Sequence, residues 1–498
     1  MFWSDEVTLE KPVRPAGVLR HPRAALALLS LAQLLIALDA TIVFVALDAM
    51  GQQLQLDARH LQWVISGYSV AFGGCLLLGG RCADLLGQRR MYVAAMALFG
   101  LASLAGGFAH LPWQLVAARA GQGVAAALLF PATLSMINTL YAAGAERNRA
   151  LAVWSMASAG GLAAGALLGG LLTQTLGWNW VLWVLVPIAW PCALAAGRYL
   201  PAMPAVPAAQ RRFDLLGCIS VTVGASALVA VLVQGPQWGW GDLRTASLLL
   251  LALAALGLFW RTEARVAAPL MPLAMLRVGS LQTSMLLAML FMSSYGVQYY
   301  FLGLYFQQVL GWSPLQAGLA FVLPTAVCTW GIRLAERGLA QQGTRSVLLR
   351  GWAAGVLGMV WIAAVLPLAG NYAWLVPGFV VMSLGQGASW TGMWVLVGQG
   401  IAPARQGVAS GVAATAQQVG AALGLALLVM LAAAPLAGMD GASAETLRQA
   451  NAQGLQHAQW GAAGLALLAW LVCLRMARPQ ALSRTDTPPV GEGRGVSV

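Results

Sequence analysis

The chain has 498 residues, 59% of them apolar and only 9% charged, with a mean hydropathy of +0.74. Soluble domains carry about 25% charged residues, so the composition excludes a soluble globular fold and predicts an all-α polytopic membrane protein. The formal net charge of +12 does not imply a nucleic-acid partner, because the cations are spread over short loops and form no single basic face.

Residues 1–23 are polar and basic, and an apolar run follows directly. That run is longer than the apolar part of a signal peptide and has no suitable A-x-A cleavage site, so it reads as an uncleaved first span. A spanning helix needs ~20 mostly apolar residues. Fourteen such stretches are predicted, at 24–47, 61–80, 91–109, 112–134, 150–172, 180–199, 214–233, 245–260, 281–304, 315–332, 347–367, 373–396, 408–433 and 459–476. With the N-terminus placed in the cytoplasm, 24 of the 28 basic residues fall in cytoplasmic segments, as the positive-inside rule requires. A wrong count would scramble that alternation. Both termini are therefore expected in the cytoplasm and the chain in the inner (plasma) membrane.

The first span contains Asp39 and ends near Asp48. An ionised acid in hydrocarbon costs at least ~2.5–3.5 kcal/mol, so each needs a reason. Nine residues at 100° each put the two on opposite sides of a regular helix. Asp48 lies at the outer edge and reads as a solvated carboxylate, whereas Asp39 lies ~14 Å below the outer surface. Arg119, in the fourth span, lies ~10 Å below the same surface. A buried arginine is expected to pair or to line a water-filled cavity. Burial and a nearby cation pull a carboxyl's proton affinity in opposite directions, which suits a proton carrier; a static structural pair is the other reading.

Between the second and third spans, "GRCADLLGQRR" (80–90) offers glycines for a tight turn, an acid just ahead of a helix start and arginines at the cytoplasmic face. In the fifth span Gly161, Gly165 and Gly169 recur every four residues on one face, allowing close approach of another helix, with Gly170 beside them. Pro-containing linkers at 201–214 and 261–280 bracket spans seven and eight. The chain therefore divides into an N-terminal tail (1–23), a six-helix bundle (24–200), linkers with an inserted helix pair (201–280), a second six-helix bundle (281–477) and a disordered cytoplasmic tail (478–498). Paired halves are a common transporter plan, with substrate sites where the halves meet.

Later spans supply uncharged polar and aromatic groups suited to an adaptable cavity: Gln298, Gln307, Gln308, Trp390, Trp394 and Gln417, with Tyr68 opposite. Most tryptophans are expected in the interfacial belts. Spans nine to fourteen contain no Asp or Glu, which favours neutral, monocationic or amphiphilic substrates. The six cysteines and four histidines are scattered, without metal or catalytic spacing. No G-x-x-x-x-G-K-[ST] loop is present, which excludes an ATP-driven pump for this chain. An enzyme, a metal and a resident cofactor are not expected.

These stretches together resemble the major facilitator superfamily, and within it the fourteen-helix drug:proton antiporter branch. The 80–90 loop is similar to the superfamily's G-x-L-A-D-R-x-G-R-R, matching at Gly80, Asp84, Gly87, Arg89 and Arg90. "RAGQGVA" (119–125) resembles R-x-x-Q-G-x-G, matching at Arg119, Gln122 and Gly123. "GLAAGALLGG" (161–170) resembles the antiporter motif, with Ala166 where proline is usual. "LDATIVFVAL" (38–47) resembles the branch's first-helix motif. The resemblance implies proton-coupled export of lipophilic drugs or other small amphiphiles by alternating access. It implies Asp39 and Arg119 as the proton-coupling pair, the 80–90 loop as a gate latch, and the fifth-span glycines as a pliable, leak-proof interface. A dedicated exporter or importer of one endogenous metabolite on the same fold is the alternative. Expected partners are the substrate, protons and lipid, with an export-system protein as a further candidate and a monomer otherwise; the proton gradient supplies the energy.

Overall fold

The computed structural model describes residues 21–476 except 57, 203–213, 240, 267–268, 270, 272, 313, 369–370 and 437–442. Residues 1–20 of the predicted tail 1–23, the whole predicted tail 478–498 and most of the 201–214 linker lie outside the described residues, as does the side chain of Asp48.

The described chain is helical throughout. Its helices are α1 (Pro22–Leu54), α2 (Ala58–Leu86), α3 (Gln88–Gly107), α4 (Pro112–Leu140), α5 (Ala145–Thr175), α6 (Asn179–Trp183), α7 (Val186–Tyr199), α8 (Leu215–Trp238) and α9 (Leu243–Glu263). They are followed by α10 (Gly279–Phe291), α11 (Gln298–Leu304), α12 (Pro314–Ala320), α13 (Val322–Val365), α14 (Val376–Val397), α15 (Gln406–Ala433) and α16 (Ala444–Arg475). In a bilayer the backbone must satisfy its own hydrogen bonds, which leaves helices as the means of crossing for this composition. Large apolar side chains point outward, such as Leu250 and Leu253 on α9, where lipid is their natural solvent.

Eleven helical stretches among the described residues are long and apolar enough to cross a membrane, against the fourteen expected. Three sequence features account for the difference. The stretch Gln316–Val365 joins two expected spans in one helical run, within which only Gly343 leaves helical geometry, at φ 78°, a left-handed conformation that glycine adopts freely. In α8 the apolar stretch Leu216–Leu232 is short. In α14, Ser383, Gln386, Ser389, Thr391 and several glycines dilute the hydropathy.

Small residues set the helix packing. On α5, a side chain at Gly161, Gly165 or Gly169 would strike α1 at Leu34, Leu38 with Thr41, and Ile42 respectively. The predicted glycine face therefore docks on the helix that carries Asp39. Gly170 is different: a Cβ there meets only Val45, at 3.9 Å. α2 rests on α4 through Gly79 and Gly123, and on α15 through Gly80, Gly407 and Gly411. α8 lies against both α2 and α15, and Ser226 of α8 fills the space above Gly74 of α2.

The stretch after α10 also departs from regular helix. Between α10 and α12 the chain passes through two π-helical turns, Met292–Gly296 and Tyr305–Val309, on either side of α11. Such turns widen the local backbone and frequently mark functional regions.

Candidate functional site

Asp39 is fully buried on α1, and Arg119 of α4 is 3% exposed. One guanidinium nitrogen, Nη1, donates to both Asp39 carboxylate oxygens, at 2.8 and 2.9 Å, and to Gln122 Oε1 at 2.7 Å. Nε donates to the backbone carbonyl of Val64 at 3.2 Å. The plane of the guanidinium is covered by Tyr68, whose ring centroid lies 4.5 Å from Cζ. This is a favourable cation–π contact when water is excluded. Gln122 in turn donates to Ser103 Oγ at 2.8 Å, and Ser103 donates to the Phe99 carbonyl at 2.7 Å.

The pairing expected from depth along α1 and α4 is thus realised. The network around it (Val64 carbonyl, Gln122, Ser103) extends over α2, α3 and α4. Tyr68 belongs to this network and not to a separate cavity wall; its hydroxyl is buried without a partner. α1 is unbroken from Pro22 to Leu54, so no helix break brings Asp48 toward Asp39.

The second cluster joins distant parts of the chain. Asp84, near the end of α2, accepts from the backbone N–H of Gly407 through Oδ1 and of Val408 through Oδ2, each at 3.0 Å. Those groups belong to the first turn of α15, where a helix leaves N–H groups unsatisfied and its dipole favours an anion. Of the two readings of this acid, a latch between the halves or a cap on the helix that follows it, the contacts match the first: Asp84 caps α15, more than 300 residues away. The approach needs small residues on both sides, since a Cβ at Gly80 would strike the Gly407 carbonyl and one at Gly407 would strike Asp84. Asn138 of α4 donates to Gln406 Oε1 at 3.2 Å, and Gln406 Nε2 donates to the Ile401 carbonyl at 2.8 Å, extending the same seal.

The 80–90 stretch, expected as a loop, is helical on both sides of Gly87, because α2 continues to Leu86 and α3 starts at Gln88, and its remaining residues hold that end in place. Gly87 precedes α3 with φ 94°, again suited to glycine. Arg89 donates to the Leu200 carbonyl at 3.3 Å, at the C-terminus of α7, where a cation complements the helix dipole. Arg90 is exposed. Gln88 is buried, donating to Ser135 Oγ and accepting from Thr139 Oγ1.

The predicted cavity residues do not lie together. Gln298 is buried and accepts from Gln459 of α16 at 2.8 Å. Gln307 and Gln308 are exposed on the second π-helical turn. Gln417 is buried on α15 with its carbonyl oxygen unpartnered. A cavity of about 420 Å³ near the α12 end is lined by Trp312, Gln316, Leu319, Ala320 and Tyr372.

Trp390 and Trp394, expected in an aromatic wall, do meet other rings, but with partners that were not expected: Phe130, Trp154, Phe291 and Trp352. Trp394 lies 5.2 Å from Phe130 of α4 and 6.1 Å from Trp154 of α5. Trp390 lies 6.4 Å from Trp154 in a nearly parallel arrangement, and 5.2 Å from Phe291 of α10. Phe291 continues the contacts to Trp352 of α13 at 6.1 Å. Rings from α4 and α5 thus meet rings from α10, α13 and α14. Trp154, Trp352 and Trp394 are fully buried, contrary to an interfacial-belt placement.

Comparison with known proteins agrees with this architecture. The model of the Major Facilitator Superfamily matches residues 29–425, and the chain belongs to that superfamily of transporters. It is 35% identical over 470 residues to the "Cephamycin export protein CmcT" of Amycolatopsis lactamdurans, covering 94% of each chain. It is 38% identical over 400 residues to the "Puromycin resistance protein pur8" of Streptomyces alboniger, covering 80% of this chain and 79% of that one. Among solved structures, it matches the human organic anion transporter MFSD10 (TETRAN) with a TM-score of 0.63 at 16% identity, over 91% of this chain and 99% of that one. It matches the proton:xylose symporter XylE with a TM-score of 0.63 at 14% identity, over 90% of this chain and 94% of that one. At such identities these structures speak to the fold alone.

Proposed function

We propose that the chain exports lipophilic or amphiphilic small molecules in exchange for protons, by alternating access. The observation that carries this is the buried Asp39–Arg119 pair, in a chain whose curated relatives are named for antibiotic export and resistance. A carboxylate held by one guanidinium nitrogen in a dry site is a two-state element. Deprotonated, it keeps the pair; protonated, it releases Arg119 to its other acceptors, Gln122 and the Val64 carbonyl. Asp39 takes up a proton from the outer side and delivers it inside, while Arg119 tunes it. Asp84 on the α15 N-terminus is the inner latch, closed in the conformation described.

In this reading the chain has fourteen spans. The three beyond the eleven are α8, α14 and the second of two spans joined at Gly343. Six-helix bundles at 24–200 and 281–477 flank the inserted pair. The loop arginines support a cytoplasmic position for both termini at the plasma membrane. The chain works as a monomer with no resident cofactor, and an export-system protein is a further partner to test. A second reading, a dedicated exporter of one compound, is favoured by the relatives' names, several of which specify a single antibiotic.

The test is efflux from energised cells lacking their own pumps, across neutral, monocationic and dicationic compounds, with and without an uncoupler. The expected result is uncoupler-sensitive efflux that Asp39→Asn abolishes. Efflux retained by Asp39→Asn would remove that residue from proton coupling. Export of one compound alone would select the second reading.

A further inference from the structure

We infer that the aromatic cluster is a substrate site for planar, oxygen-rich aromatic compounds, recognised by indole N–H donors; this rests on the export reading and specifies its substrate class. Five buried indole N–H groups among the described residues lack a hydrogen-bond acceptor, and four of them (Trp154, Trp352, Trp390 and Trp394) belong to this one cluster. Buried indoles usually find an acceptor, so a concentration of unpartnered donors at one place indicates an acceptor supplied from elsewhere. Beside them, Ser155 Oγ of α5 is also buried and unpartnered.

The ring geometry fits a flat guest. Trp154 and Trp390 are inclined by only 12° to each other, with centroids 6.4 Å apart. Trp394 stands nearly perpendicular to both, at 80° and 75°. Two parallel walls and an upright third ring make a slot that a planar ring system enters once the walls part by a small amount. The walls belong to α5 and α14, on opposite sides of the contact between the first and last groups of helices, so a rocking motion that separates those groups opens the slot. An indole N–H is a donor and never an acceptor. The site therefore prefers carbonyl or ether oxygens on the guest to ammonium groups.

The test uses the purified full chain and three probes: anthraquinone, which is planar with two carbonyl acceptors; anthracene, its carbonyl-free counterpart; and ethidium, a planar cation without acceptor oxygens. Equilibrium binding is measured first. The wild type is expected to bind anthraquinone about tenfold more tightly than anthracene, the difference expected of one well-made hydrogen bond. In Trp154→Phe and Trp394→Phe, which keep a ring and remove the donor, that ratio is expected to fall towards one. A wild type that binds all three equally, or prefers ethidium, overturns the inference without any variant having to fold. So does a ratio that survives in both variants. Uncoupler-sensitive transport of the same probes is measured separately; binding with the expected ratio but no transport would overturn the export reading and leave the donor site standing.

Discussion

Arg119 spends a single guanidinium nitrogen on both oxygens of Asp39 and on the Gln122 amide, so the loss of either charge strands the other. Removing one member of a buried pair costs about 3–5 kcal/mol, whereas replacing both is often close to neutral. Arg119→Ala is therefore expected to lower the thermal midpoint of the detergent-solubilised protein more than Asp39→Asn combined with Arg119→Gln. A double variant less stable than Arg119→Ala would show that the pair contributes more than its own mutual compensation. Asp242 behaves differently. It caps α9, and its hydrogen bonds from Arg244 hold its carboxyl down to about 2 in pKa. A depressed pKa gives stability that is present above the ordinary carboxylate value of about 3.8 and lost as pH falls towards 2. Asp242 is thus charged throughout pH 5–8. Asp242→Asn is expected to leave the pH profile of efflux in that window unshifted; a displaced profile would place a titrating group there. Asp39 and Arg119 were legible in the sequence because two helices of known direction fix their depths. Gln88, Ser103 and Asn138 were not, since nothing in a lone polar residue on an apolar helix says which neighbour it faces.

At the scale of elements, the α1–α5 contact is built on absent side chains. A Cβ at Gly165 would collide with Thr41 and the Leu38 carbonyl, one helical turn or less from Asp39. Alanine normally stabilises a helix relative to glycine by about 1 kcal/mol, so the sign of the change reports the contact. Gly165→Ala is expected to lower folded yield and thermal stability, while Gly170→Ala, with room around it, is expected to leave both equal or raised. Equal losses at both positions would show that the spacing motif and not the contact is what counts. The four-residue glycine spacing made that face visible in advance, but not its partner α1. The helix count was less secure for a related reason. A single glycine, Gly343, divides one long helical run, and the polar content of α14 hides a helix whose polar residues are buried against neighbours. Of the aromatic cluster only Trp390 and Trp394 were singled out in advance; its rings come from five helices, and Trp154 and Trp352 taken alone have an interfacial reading.

Across the whole molecule, Asp84 is the link between the beginning and the end of the chain. Its two charge-assisted hydrogen bonds to α15 are of a kind worth about 1–2 kcal/mol at a helix N-terminus, enough to shift a balanced two-state equilibrium by roughly tenfold. Asp84→Ala is expected to open the inner side more often. With the native cysteines removed and Ser410→Cys introduced on buried α15, labelling by a maleimide from the cytoplasmic face should accelerate roughly tenfold when Asp84 is replaced. Unchanged labelling would mean that the glycine contacts of Gly80, Gly407 and Gly411 hold the seam without the acid. A resemblance at Asp84 could name a latch, but only the folded chain shows what it latches.

The position of α8 has a consequence for how a solute reaches the interior from the bilayer. α8 presses on α2 and α15 together, filling hydrocarbon volume that acyl chains would otherwise occupy beside that seam. A greasy molecule diffusing sideways through the membrane meets this helix there, with α9 behind it. The opposite seam is made by α5 against α13 and α14, the helices that supply most of the indole rings. The two flanks of the transporter are therefore unequal, one covered by α8 and the other closed by rings buried between α5, α13 and α14.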